Sequence, residues 1–154
     1  TSAEIYQQSL RSDDVTDALR ANHDDLAEGY RMLSQFQIAA EYASRDNNEL
    51  AEKVYLEIAA DKSIDPIYQQ AATLLSIMVA PEDADLNLLL GRLSDMETLT
   101  GPWQAMALET GAGVALRLGD QNLAIAKYKK LAEMNDIPVG MRQRADRILA
   151  ILSN

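Results

Sequence analysis

The stretch "LRLGDQNLAIAKYKKL", Leu116 to Leu131, decides the fold. The helical spacing of apolar residues stops at Gly119-Asp120 and restarts at once, with alanines where a core helix usually carries leucines. An interruption of two residues, Gly then Asp, predicts a tight reversal. Gly119 is free to take the left-handed conformation that a helix C-cap often needs. The slim helix that follows reads as one lying close to its neighbour, with Tyr128 filling the gap to the next element. Two helices folded back on each other form one unit of a stack.

A second copy of the unit lies upstream. "NELAEKVYLEIAADKSIDP" (48–66) and "QNLAIAKYKKLAEMNDIP" (121–138) share x-x-L-A-x-x-x-Y-x-x-[IL]-A, then a short loop and Pro. Tyr55 and Tyr128 are equivalent at 128 − 55 = 73 residues, as are Leu50 with Leu123 and Ala59 with Ala132. Half of 73 is close to the period of about 34 residues of helix-turn-helix repeats.

Working outward, the periodicity predicts a short first helix over Ser2 to Leu10 and a second from Asp13, with Ser12 as N-cap. A third covers Ala27 to Ser44 and ends at "SRDNN", where Asn and Asp compete for backbone hydrogen bonds. A fourth covers Asn48 to Ala60, and a fifth covers Pro66 to Met78, its Pro suited to a first turn. A sixth covers Ala84 to Met96, and a seventh covers Pro102 to Leu118, apolar on several sides and so sandwiched between neighbours. The eighth starts after Gly119-Asp120. The last starts at Pro138, with Met141, Ala145 and Ile148 inward and a polar face of Arg142, Gln143, Arg144, Asp146 and Arg147, as a capping helix requires.

Composition agrees with an all-α chain of one domain, 1–154. Hydrophobic residues make up 47% and charged residues 25%, and there are few Gly and Pro for a turn-rich β fold. The net charge of −10 is uneven: up to Leu116 there are 20 acidic and 7 basic residues, and from Arg117 onward 4 and 7. An acidic body argues against nucleic acid as a partner. The basic end reads as a solvated face of a terminal helix, with a docking patch as the alternative. No cysteine excludes disulfides and thiol chemistry. No run approaches the ~18 apolar residues of a membrane span.

Three features carry a further resemblance: "ALRLGDQNLAIAKYKKLAE", the segment "DPIYQQAATLL" after "YLEIAAD", and the terminal "PVGMRQRADRILAIL". Together, over Tyr6 to Leu152, they resemble the bacterial tetratricopeptide-like family that includes the ancillary subunit of the SecYEG translocon. The chain departs from that pattern at "RSDDVTDAL", which lacks the usual Gly, and around Pro81. The resemblance implies a solenoid of stacked antiparallel helix pairs with a C-terminal capping helix. It also implies an N-terminal inner-membrane anchor with this domain in the periplasm, and a role in export or envelope quality control. Partners would be other proteins, such as translocon subunits or periplasmic chaperones. No catalytic residues and no cofactor come with it. A chain starting at Thr1 is the expectation for an ectodomain cut after such an anchor.

The remaining motifs read as structural. His23, the only histidine, reads as an exposed loop residue, and Asp13, Asp14 and Asp17 as acids at a helix start, so no metal site is expected. "GAG" at Gly111 to Gly113 reads as close helix packing, without the lysine and strand of a phosphate loop. In stacked hairpins the first helix of each pair lines the concave side. That nominates Tyr30, Gln37, Glu41, Tyr68, Gln69, Trp103 and Met106 as protein-binding residues. The rival readings are a self-assembling homo-oligomer, a soluble cytoplasmic scaffold and, last, a metal-dependent enzyme built on the acidic clusters.

Overall fold

The computed structural model describes residues 1–153, and among them the chain is all-helical, with nine α-helices, one short 3-10 turn and no strand. It divides into two compact units, Thr1–Glu82 and the remainder from Asp83.

The first unit contains α1 (Ser2–Leu10), α2 (Val15–Ala21), a 3-10 turn at His23–Asp25, α3 (Glu28–Ser44), α4 (Asn48–Ala60) and α5 (Pro66–Met78). Thr1 and Glu4 form a reciprocal capping box on α1. The predicted cap of α2, Ser12, is displaced by Asp14, whose carboxylate accepts from Asp17 N–H at 3.0 Å, so the helix starts at Val15. Sequential helices pack on one another around Leu19, Ile38, Ala39, Val54, Tyr55, Ile58 and Ala72, with Tyr6 and Phe36 against them.

The second unit contains α6 (Leu86–Thr98), α7 (Gln104–Leu118), α8 (Gln121–Glu133) and α9 (Val139–Leu152). Three of these starts fall later than the apolar pattern suggests. Asp85 caps α6 by accepting from Asn87 N–H at 2.9 Å, Trp103 is the N-cap of α7, and Pro138 precedes α9 as its N-cap. As expected of an element apolar on several sides, α7 packs on both α6 and α8. Leu108, Ala112, Tyr128, Leu131, Met141 and Ala145 form a core shared by α7, α8 and α9.

The repeat of 73 residues extends to the backbone. Gly119 takes a left-handed φ of 82°, and Asp46, at 119 − 73, takes one of 56°. Asn47 N–H donates to Tyr42 C=O and Asp120 N–H to Ala115 C=O, both at 2.9 Å and 73 residues apart. Ala51 with Ala124, Tyr55 with Tyr128, Ile58 with Leu131 and Ala72 with Ala145 are all buried. The helices α5 and α9 also begin 73 residues apart, at Pro66 and Val139.

Left-handed backbone strains any residue with a Cβ, whereas glycine takes it freely. Asp46→Gly is therefore expected to stabilise the chain by about 0.5 kcal/mol, and Gly119→Ala to destabilise it by about 1 kcal/mol. Urea unfolding of the two variants tests this; a loss of stability in both contradicts the equivalence of the turns.

Candidate functional site

In the first unit α3, the 3-10 turn, the end of α4 and the loop to α5 enclose a half-open cleft of about 580 Å³. That volume lies within the range of ligand-binding clefts. Met32, Ile58 and Ile64 supply its apolar lining, and Glu28, Arg31, Gln35, Glu57, Asp61, Ser63 and His23 its polar lining. Glu28, Arg31, Met32 and Gln35 recur at three- and four-residue spacing, so α3 presents them as one stripe.

The loop is fixed by its own side chains. Asp61 Oδ1 accepts from Ser63 Oγ at 2.7 Å and from Ser63 N–H at 2.9 Å. These bonds, the hydroxyl first, hold the Asp61 carboxyl below its ordinary value, so it stays charged. Gln69 donates to the Asp61 carbonyl, and Asp65 caps α5 by accepting from Ile67 N–H. By contrast, the side chains of Glu28, Arg31 and Glu57 make no hydrogen bond or ion pair with the described residues.

None of the seven nominated residues lines the cleft. Tyr30 lies on another face of α3, its ring 5.7 Å from that of Tyr6 in a tilted pair. Gln37 and Glu41, half-buried on the same helix, are joined by a hydrogen bond of 3.0 Å. Tyr68 is 45% exposed on α5, while its neighbour Gln69 is engaged with the Asp61 carbonyl. In the second unit Trp103 is half-buried at the start of α7, and Met106 is exposed one turn on. His23 is half-buried and lines the cleft, where the sequence suggested an exposed loop residue.

On the basic end Gln143, Arg144, Asp146 and Arg147 are exposed, as a solvated face requires, but several of its cations also have partners in the fold. Arg142 is half-buried and donates to the carbonyls of Ala132, Met134 and Asn135, the unpaired end of α8. Arg144 forms a two-pronged pair with Glu109, at 2.8 and 3.0 Å. Lys127 pairs with the carboxylate of Glu97, both side chains almost buried, and Lys130 donates to the Glu97 carbonyl at 2.7 Å. Four of the seven basic residues from Arg117 onward thus serve the fold.

The buried carboxylate also bears on Gly111 of the "GAG" stretch, whereas a Cβ on Gly113 would meet nothing within 4 Å. A Cβ on Gly111 would sit 2.2 Å from Glu97 Oε1, an oxygen that has no hydrogen-bond partner. A Cβ there would have to displace the end of the Glu97 side chain, which Lys127 holds.

Among the described residues no group of three or more His, Cys, Asp or Glu is placed to hold a metal ion, and no helix is long and apolar enough to cross a membrane. Fold and cleft together define an all-helical protein built around a duplicated helical unit. No family model, curated protein or solved structure matches the chain.

Proposed function

We propose that this chain is a non-enzymatic protein-binding module, a tetratricopeptide-like solenoid of antiparallel helix pairs. The observation that carries the reading is the 73-residue recurrence of the same turn, the same buried Tyr and the same buried Ala. Repeated helical units of this kind form extended surfaces on which partners dock. The resemblance of the turn, the Tyr helix and the terminal helix to the translocon-associated family points to the periplasmic side of the bacterial inner membrane. There the module would be held by an N-terminal anchor and assist export or quality control.

The test is capture of partners by the full-length gene product from detergent-solubilised membranes. The expected result is recovery of translocon subunits or periplasmic chaperones. Recovery of neither would remove the export role.

Self-assembly is a second reading, favoured by the exposure of Val139 (72%) and Ile151 (67%) on the terminal helix α9. Light scattering at rising concentration separates the two readings. A mass that stays at one chain excludes the homo-oligomer.

A further inference from the structure

We infer that the cleft of the first unit docks a basic segment of a partner protein, one that carries an aliphatic side chain between positive charges. The inference rests on the protein-binding reading and gives it a location and a partner chemistry.

Three observations carry it. First, the negative charge of the chain is concentrated in the unit that holds the cleft. Residues 1–82 contain 15 acidic and 6 basic residues, a balance of −9, whereas 83–154 contain 9 and 8, a balance of −1. A field of one sign raises the encounter rate with segments of the opposite sign. Second, the cleft itself has three carboxylates, Glu28, Glu57 and Asp61, against one guanidinium, Arg31.

Third, the charges are open. Glu28 and Glu57 are not consumed by any bond or ion pair with the described residues, in contrast to Lys127, Lys130, Arg142 and Arg144 in the second unit. Asp61 is held charged by Ser63 and keeps its second oxygen outside that turn. Met32, Ile58 and Ile64 offer an apolar lining for the aliphatic side chain, and the carboxylates receive the flanking ammonium or guanidinium groups. Arg31 and Gln35 supply donors for the segment's backbone carbonyls.

The experiment is fluorescence anisotropy of a labelled hexapeptide, with lysines flanking a central leucine, titrated with the whole chain. The probe is compared across wild type, Glu28→Gln/Glu57→Gln and Glu49→Gln/Glu82→Gln. The last pair removes the same charge from exposed positions outside the cleft. All four replacements keep side-chain size, and circular dichroism checks that helicity is unchanged. The expected result is binding that weakens with salt, a loss of about tenfold in the cleft pair and less than about twofold in the control pair. No binding by wild type, or equal losses in the two pairs, overturns the inference. If the cleft pair loses no affinity while the full-length protein still captures its partners, the cleft is wrong and the protein-binding reading stands. If wild type binds the peptide as expected but captures no partner, the cleft stands and the export reading falls.

Discussion

A chain carrying Lys127→Met is expected to be less stable than wild type by about 3–5 kcal/mol, the cost of leaving a buried carboxylate without its counter-charge. Glu97 and Lys127 have side chains 11% and 12% exposed, so water replaces little of the lost partner. Glu97 Oε1 already lacks a hydrogen-bond partner, which leaves the carboxylate dependent on the ammonium group at Oε2. The double variant Glu97→Gln/Lys127→Met removes both charges and is expected to recover most of the loss. Gly111 gives a check of opposite sign. Alanine in a helix interior is normally better than glycine by about 0.5–1 kcal/mol, yet Gly111→Ala is expected to destabilise wild type, because its Cβ would push the carboxylate off Lys127. In a Glu97→Ala background the same change is expected to stabilise. Urea unfolding followed by the fluorescence of Trp103, the only tryptophan, reads all of these within one unit. A Lys127→Met variant within about 1 kcal/mol of wild type would contradict the pairing.

The two tyrosines of the repeat are the second large effect. Tyr55→Ala and Tyr128→Ala are each expected to cost about 3–5 kcal/mol, as truncation of a buried aromatic does. Tyr55 is 5% and Tyr128 4% exposed, and each belongs to the core of its own unit. Burial pushes both phenols above their ordinary value, so they remain neutral across the physiological range. Tyr→Phe retains the ring and is expected to cost less than about 1 kcal/mol at both positions. Denaturation followed by far-ultraviolet circular dichroism measures the four variants. A large cost at one tyrosine with none at the other would break their equivalence.

Much of the helix pattern is legible without coordinates because its punctuation is local. The bounds of α4 and α5 follow from "SRDNN", "DKSID" and Pro66, and Gly119-Asp120 is a turn by residue type alone. The left-handed residue of the first turn is not legible in this way. Asp also occupies ordinary helical and loop positions, so its residue type does not mark the turn, and only comparison with Gly119 73 residues on exposes it. Helix starts slip where a better cap follows the expected one, Asp14 after Ser12 and Asp85 after Ala84.

The pairs that hold the second unit are tertiary and leave little local trace. Arg142 and Arg144 look like the solvated face of a last helix, and only their distance to the end of α8 and to Glu109 gives them partners. Glu97 did leave a signal: it follows the buried Leu93 by four residues, a charge on a core stripe, which asks for a partner. The cleft was invisible because its lining comes from stretches far apart in the chain, around His23, along α3 and at the end of α4. A nomination by helix order selected Tyr30, Gln37 and Glu41, on another face of α3.

The central claim, that this is a module for binding other proteins, is tested most directly by photo-crosslinking in living cells. A photoreactive phenylalanine replaces His23, which lines the cleft, in the full-length protein. The predicted result is a light-dependent adduct with a translocon subunit or a periplasmic chaperone, identified by mass spectrometry. Adducts only with a second copy of the same chain, or none at all, would contradict the account.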